Sequence, residues 1–597
     1  MARPTQAGMR AGARWVLAPP CAGSAELARR LRTSPLVAQL LHNRGLDSPQ
    51  AVAAFLDPKL TDLHPPELMA GMEAASARII AALRAGQRIC LYGDYDVDGM
   101  TGLAILYRCL SLRGGQVEYY VPHRIDEGYG LNLKAVEKIA AGGAKLLVTV
   151  DCGVTAVEAV ARANQLGLDV IVTDHHAPDA ALPAALAIVH PALPGGTYPN
   201  ANLSGSGVAF KLAWHLSRSL VGGGRVDEPT RRLLLEATTL AALGTIADVV
   251  PLLGENRVLA AYGLRGLVAT EHVGLRALVE SAGLVGERLD AYHVGFCLAP
   301  RLNACGRMGH ARVAVELLTR ADAERCRRIA EGLEKTNTQR QQVERDILQQ
   351  ALEVIERDKL AEDGQAALVL AGEGWHAGVI GIVAARLVDR FCRPTVMIAL
   401  ANGQGQGSAR SIDGFHMRDA LAACSVHLAS FGGHAMAGGL RLSAQNVGAF
   451  ARAFCQHARA NLSPDQLTPV LNIEAVVRLS ELSLPVVRQL EKLGPFGRGN
   501  PNPVVMAPGV RLLTAPQRMG RSGSTVSFIA AQDAAGTGRT RCVGFGMAEM
   551  ADRLSAGSIV DIAGRAVINR FNGRESVEFH LQDLRPAGQE PGNAKIT

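Results

Sequence analysis

Between Ile79 and His190, five short β-rich runs alternate with helical stretches: Arg88–Tyr92, Val117–Val121, Leu146–Val150, Val170–Thr173 and Ala187–Val189. This alternation constrains the fold more than any other feature, because runs joined by helices read as βαβ units and build a parallel sheet. Several runs end in polar residues: Asp94 to Asp98 after the first, Asp151 after the third, and Asp174, His175 and His176 after the fourth. In an open α/β sheet that edge is where ligands bind.

The remainder of the 597 residues is enough for several further units at roughly 150 residues per domain. A charged segment from Ala321 to Asp363, without Gly or Pro after Gly332, reads as a long, exposed helix bridging two domains. A second, smaller α/β region follows from Gln365 to about Asn461, with strands expected at Ala367–Leu370 and Pro394–Ile398. Glycine-rich loops are expected at Gly403–Gly407 and Gly432–Gly439, where glycine lets backbone approach a ligand. After the turn-rich Gly494–Pro503, the runs Thr525–Ile529, Arg541–Phe545, Ser558–Ile562 and Ser576–Leu581 predict a small antiparallel barrel.

Composition removes several classes. No apolar run approaches the ~20 residues of a membrane span; Leu240–Leu253 is interrupted by Asp248 and Pro251. The eleven cysteines are scattered from Cys21 to Cys542, no two within four residues. That spacing argues against both a zinc ribbon and a disulfide framework, and for a reducing cytoplasm. Met1 to Ser24 carry Arg3, Arg10 and Arg14 without an acid and without an apolar secretion segment, which reads as a frayed tail rather than a transit peptide. A net charge of +7 is compatible with a polyanionic partner without requiring one.

Asp94, Asp96 and Asp98 occupy alternate positions directly after an apolar run, and Asp248 follows the apolar stretch Ala241–Ala247. Three like charges so close repel one another unless a cation compensates. With Asp151 and the Asp174-His175-His176 triplet they offer hard oxygens and imidazole, a donor set suited to Mn²⁺ or Mg²⁺. Two such ions ~3.5–4 Å apart can activate water and neutralise an in-line phosphoryl displacement. Two other readings compete. Each Asp could simply cap a helix after its strand, and Asp96-Val-Asp98-Gly also fits a phosphatase with an aspartyl nucleophile of the haloacid-dehalogenase type. The latter leaves the histidines without work.

Seven segments taken in order, Gly93–Gly99, Val121–Asn132, Thr149–Gly153, Thr173–His176, Thr245–Pro251, Pro300–Gly309 and Gly432–Gly438, resemble the DHH phosphoesterase superfamily. Within it the chain is similar to the bacterial single-stranded-DNA-specific 5′→3′ exonucleases over nearly all its length. The resemblance implies an α/β multidomain chain. Its parts would be an N-terminal tail and helices (1–50), a parallel-sheet DHH catalytic domain (51–330), a linking helix (331–364), a smaller α/β DHHA1 domain (365–465), a C-terminal OB-fold β-barrel (466–588) and a tail (589–597). It further implies Mn²⁺ or Mg²⁺, release of 5′-mononucleotides, a place in recombination and repair, and single-strand-binding protein and a DNA helicase as partners. Monomer is the expected state, since no coiled-coil heptads occur.

By the same resemblance Asp96, Asp98, Asp151, His175 and Asp248 are metal ligands, with Asp151 the bridge between two ions. Asp94 sits beside them and serves a weaker ion or its water. His176 faces the scissile phosphate, with a satisfied core histidine as the alternative. Arg124 and Tyr129 meet the entering strand, or else decorate a loop. One of Arg301 and Arg307 reaches phosphate. Ser408 and Arg410 resemble the pocket for the terminal 5′-phosphate, where a guanidinium fork matches a dianion. His434 contacts the nearby backbone or belongs to a structural turn. In the barrel, residues 505–580 hold nine Arg against six Asp and Glu and no Lys, interspersed with Phe528, Phe545 and Phe571. That mixture suits electrostatic tracking and base stacking, although phenylalanine also fills barrel cores. Two further functions fit parts of the pattern: a DHH-type phosphodiesterase acting on short oligonucleotides or signalling nucleotides, and a non-catalytic DNA-binding scaffold.

Overall fold

The structure, a computed structural model, describes residues 13–588 apart from Ile125, Tyr129, Gly223, Asp363, Arg521 and 534–537. It divides into two compact units: one is Ala53–Arg340 with Gly494–Pro501, the other the described parts of Met1–Val52, Gln341–Leu493 and Asn502–Thr597.

The first unit is built on five parallel strands in the spatial order Gln116–Tyr120, Arg88–Gly93, Leu146–Val150, Asp169–Thr173, Ala187–Val189. The expected strands are all present, with ends shifted by a residue where the runs were ragged. Leu146–Val150 is buried along its whole length, as a central parallel strand covered on both faces must be. Helices Leu133–Ala141 and Val157–Gln165 cover one face with Val136, Ile139 and Val160; the larger core on the other face includes Leu103, Leu106, Val208 and Leu212. The order in which strands are added reverses between Arg88–Gly93 and Leu146–Val150, which makes that crevice the topological switch point of the sheet. Gly93 pairs with Val150, so the next residues, Asp94 and Asp151, leave the sheet at one level.

Asp248 is not at a strand end. The stretch Ala241–Ala247 closes the twenty-residue helix Glu228–Ala247, and Asp248 is its C-cap. The charged segment forms the helix Ala323–Arg357, inside the expected span, but it is not wholly exposed. Cys326, Ile329, Leu333, Asn337, Arg340, Glu344, Ile347, Ala351 and Ile355 form a buried stripe at helical spacing. Its polar members hid the periodicity from sequence.

In the second unit the α/β region carries a five-stranded sheet ordered Ser430–Gly433, Ala437–Ser443, Gln404–Arg410, Thr395–Ala401, Leu368–Glu373. Only the last pair is parallel. The segments expected as glycine-rich loops are therefore largely strands. Gly405 and Gly407 face inward, and a Cβ at Gly407 would stand 2.7 Å from Cγ of Leu440, so glycine here makes room for a large neighbour rather than for a ligand. The C-terminal strands Val505–Leu512, Thr525–Ala531, Thr540–Gly544, Ile559–Phe571 and Arg574–Pro586 close into a five-stranded barrel of OB type. One closing pair, Thr540–Gly544 with Arg574–Pro586, is parallel, against the antiparallel expectation.

The segment read as a frayed tail is partly ordered. Arg14–Leu17 pairs in parallel with Val470–Ile473, and Trp15 Nε1 donates to Asp583 at 2.8 Å beneath the guanidinium of Arg585. Residues 1–12 and 589–597 lie outside the described residues. All eleven cysteines are unbridged, and among the described residues no helix is long and apolar enough to cross a membrane.

Candidate metal centre

The ladder of the sheet continues one residue past each strand and fixes the backbone of the site. The N–H of Asp94 donates to Val150 at 3.2 Å, that of Asp151 to Thr173 at 2.9 Å, and that of Asp174 to Val189 at 3.2 Å. Asp151 takes a left-handed backbone, φ 63°, which is costly for a residue with a Cβ and is characteristic of strain held at functional sites. Asp96 is the N-cap of helix Val97–Leu112, its Oδ1 accepting from Gly99 at 3.1 Å, so the helix-capping reading holds for this residue. Asp98, in the first turn of that helix, accepts from the backbone N–H groups of Gly205 at 2.6 Å and Ser206 at 3.0 Å. A second helix N-terminus thus aims its positive end at the cluster.

Side chains then converge. Ligand atoms of Asp94, Asp96 and Asp151, of Asp98, His175 and Asp248, and of Asp151, His175 and His176 form three groups, each within 4.8 Å. Nε2 of His175 lies 3.1 Å from Oδ1 of Asp151, 3.6 Å from Asp248 and 3.8 Å from Asp98. Asp94 Oδ1, Asp151 Oδ1 and His175 Nε2 are buried without a hydrogen-bond partner. Orphaned buried acceptors are expensive unless something positive meets them.

The electrostatics agree. Burial, then repulsion by neighbouring carboxylates, raises Asp98 to about 6 and Asp248 to about 8, and drives Asp94 and Asp151 well above the usual range. Burial and the charge of His176 push His175 down to about 3, the neutral form in which imidazole binds metal. Burial alone would raise Asp174, but the hydrogen bond and charge of His176 and the backbone N–H of Val154 bring it to about 2. Burial opposes protonation of His176, yet Asp174 holds it up at about 9. The donor set of hard oxygens with one neutral imidazole fits Mn²⁺ or Mg²⁺.

The other expected residues fall into two places. In the same unit, Arg124 lies 4.9 Å over the ring of Tyr95, and its charge counters the rise at Asp94. The charge of Arg307 also reaches Tyr95, whereas Arg301 is turned away into an ion pair with Glu334 and donates to the Cys297 carbonyl at 2.6 Å. Tyr129 lies outside the described residues. In the second unit, Arg410 Nη1 donates to Ser408 Oγ at 3.2 Å, and both side chains crowd Gly381 in the first turn of helix Ile380–Phe391. His434 N–H closes the turn onto the Ala437 carbonyl at 2.8 Å. In the barrel Phe528 is core, and Phe571 is 70% exposed at the tip of the long hairpin. The barrel's arginines are less free than their number suggests: Arg518, Arg541 and Arg570 pair with Asp552, Glu578, and Glu491 and Glu575.

Residues that composition did not single out complete the centre. Gly205 leaves space for Asp151, whose Cβ and Cγ would stand 2.7 Å from a Cβ there, and a side chain at Gly244 would collide with Asp98 and Ser206. The signal available was the run Ser204-Gly-Ser-Gly207 at the start of an apolar helical stretch. Tyr95 sits between two acids already noted.

This sheet, with acids at the switch point and an Asp-His-His strand end, defines a DHH-type domain, and residues 88–245 match the DHH family, N-terminal domain. Residues 364–460 match the DHHA1 domain and 473–583 the RecJ OB domain. The chain is 38% identical over 560 residues to the single-stranded-DNA-specific exonuclease RecJ of Bacillus subtilis (strain 168), covering 93% of this chain and 69% of that protein. With RecJ of Thermus thermophilus it is 36% identical, covering 98% of this chain and 81% of the relative. The crystal structure of the Thermus protein in complex with Mn²⁺ superposes with a TM-score of 0.82, at 32% identity, over 99% of this chain and 82% of that one. The chain belongs to the RecJ family of single-stranded-DNA-specific exonucleases.

Proposed function

We propose that this chain is an exodeoxyribonuclease that digests single-stranded DNA in the 5′→3′ direction with two Mn²⁺ or Mg²⁺ ions, releasing 5′-mononucleotides in DNA recombination and repair. The observation that carries this reading is the convergence of Asp94 Oδ1, Asp151 Oδ1 and His175 Nε2, buried and without hydrogen bonds, among carboxyls that cannot all ionise unaided. Asp96, Asp98, Asp151, His175 and Asp248 would hold the ions. Asp151 and His175 each belong to two of the three groups, which supports Asp151 as the bridge. Asp94 would steady a weaker ion or its water. When bound, the ions supply activation of water and neutralisation of charge on the phosphate.

The rest of the chemistry falls to the chain. Asp174 takes Nδ1–H of His176, so Nε2 can donate to a non-bridging phosphate oxygen only from the imidazolium, the form Asp174 favours. Arg124 and Arg307, beside Tyr95, would hold backbone phosphates, with Arg301 positioning its helix through Glu334. Tyr129 would stack a base of the entering strand. Ser408 and Arg410, over a helix N-terminus, would receive the terminal 5′-phosphate, with His434 in the adjoining turn. The barrel would track the strand through Phe571 and, among the described residues, the arginines outside those ion pairs. Single-strand-binding protein and a DNA helicase are the proposed partners, a monomer the proposed state, and the cytoplasm the proposed compartment, in keeping with eleven unbridged cysteines.

Product analysis with 5′- and 3′-end-labelled single strands in Mn²⁺ tests this. Immediate release of 5′-labelled mononucleotide, with the 3′ label shortening stepwise, is expected. Cleavage confined to di- and trinucleotides would favour a short-substrate phosphodiesterase, and binding without cleavage a scaffold.

A further inference from the structure

Eight residues from far along the chain, Gly494–Pro501, belong to the catalytic unit. Arg257, 3% exposed, donates to the Gly494 carbonyl at 2.7 Å, and Asn500, fully buried, donates to Pro495 at 2.9 Å. The loop closes on itself between Gly497 and Asn500. Its apex is then fastened beside the metal centre: the N–H of Leu252 donates to the Arg498 carbonyl at 2.8 Å, four residues from Asp248. A Cβ at Gly497 would stand 2.7 Å from Cδ1 of Leu252, and Gly499 takes φ 75°, so glycine is favoured on both sides of Arg498. The Arg498 side chain is exposed, and among the described residues no hydrogen bond or ion pair engages its guanidinium. Its charge nonetheless reaches Asp248, alongside that of His176 and against those of Asp96 and Asp98.

A rigid loop that holds an unpaired cation at the rim of an acidic centre has little structural reason to do so. We propose that Arg498 binds a backbone phosphate of the single strand next to the scissile one, offsetting the repulsion between the acidic cluster and the polyanion. The inference rests on the nuclease reading above. The loop fastens the Arg498 backbone to Leu252, four residues from Asp248, and its charge acts on that residue, so it offers a second clamp on the same strand, remote in sequence from Arg124 and Arg307.

The test compares wild type with Arg498→Ala, Arg498→Lys and Arg498→Glu in the full chain, by anisotropy of a labelled oligonucleotide in EDTA and by steady-state digestion in Mn²⁺. Arg498→Ala is expected to raise Kd and KM roughly 3- to 10-fold and to flatten the log–log salt dependence of binding by ~0.7, the value of one phosphate contact on single strands. Arg498→Lys should recover most of the affinity, and Arg498→Glu should lose more than Ala. The Mn²⁺ concentration for half-maximal activity and the melting temperature should not move. Unchanged slope and affinity in Arg498→Glu would overturn the proposal, as would a shift in Mn²⁺ dependence with DNA affinity intact. A wild-type protein that neither binds nor digests single strands would instead overturn the nuclease reading itself.

Discussion

Asp174 grips His176: its Oδ1 accepts the imidazole Nδ1–H at 2.8 Å and the backbone N–H of the same residue at 3.1 Å. The same oxygen accepts from His175 N–H at 2.7 Å, and Oδ2 accepts from Val154 N–H at 2.9 Å. One buried carboxylate therefore sets the turn that presents both histidines, without facing the proposed ions itself. Partners of this kind typically contribute roughly 10- to 100-fold to metal affinity or activity. Asp174→Ala should lower kcat by that order and raise the Mn²⁺ requirement, and Asp174→Asn, which keeps half of the acceptors, should do less. Equal activity of Asp174→Ala and wild type across a Mn²⁺ titration would deny Asp174 any positioning role.

Asp151 makes a sharper case, because its carboxyl is pushed up by burial and by Asp98, Asp96, Asp248 and Asp94 together. Asp151→Asn should abolish turnover while leaving strand binding largely intact. It should also stabilise the metal-free protein by about 1 kcal/mol or more, since one member of a like-charged buried cluster is removed. Gly205→Ala is expected to cripple the same site without touching a donor, as its Cβ would stand 2.7 Å from the Asp151 Cβ and Cγ. Isothermal titration of Mn²⁺ and thermal melts in EDTA check both, and Mn²⁺ binding of wild-type strength by Asp151→Asn would remove it from the ligand set. Asp94→Ala should be milder.

The strand-end acids were legible in sequence because a parallel strand is a continuous apolar run, and topology alone aims the residue after it at the crevice. Leu146–Val150 with Asp151 shows this best. Asp248 was legible as an acid after an apolar run, but its helix was not, since a buried helix end and a buried strand share one composition. The glycine-rich start of strand Gln404–Arg410 looked like loop because strand propensity resides in side chains, and here the partner strand supplies them through Leu440. Gly205 left a trace in the run Ser204-Gly-Ser-Gly207, but Gly244 and the apex of the Gly494–Pro501 loop could not be found without coordinates. Their contribution is the volume they leave or the neighbour they reach, and neither is written in residue type.

Arg410 and Ser408 lie over the first turn of helix Ile380–Phe391, an arrangement that sets a guanidinium and a hydroxyl beside the positive end of a helix. A terminal phosphate dianion held there gains a charge-assisted contact of ~1.5–3 kcal/mol. Arg410→Ala should therefore slow digestion of 5′-phosphorylated strands roughly tenfold or more and leave 5′-hydroxyl strands nearly unaffected, with Ser408→Ala weaker in the same direction. If the wild-type preference for phosphorylated ends survives both substitutions, the pocket lies elsewhere, and Arg307 becomes the candidate.

The barrel tests separately for stacking and for charge. Deleting it at Gly499 would be misleading, because Asn500 is a buried member of the catalytic unit and Trp15 would lose its hydrogen bond to Asp583. Point changes in the full chain avoid this. Phe571, 70% exposed at the hairpin tip, has no packing role to lose, whereas Phe528, 2% exposed, lies in the barrel core. Phe571→Ala should weaken binding of long strands by the ~1–3 kcal/mol of one base stack, without changing the salt slope or the melting temperature. Arg574→Ala, next to the same turn, should instead flatten the slope by ~0.7. Phe528→Ala should cost about 3–5 kcal/mol of stability and thereby lose both. Short oligonucleotides that cannot reach the hairpin should be digested normally by the Phe571 and Arg574 variants. A Phe571→Ala protein that keeps full affinity for a long strand would show that the exposed ring serves something other than DNA.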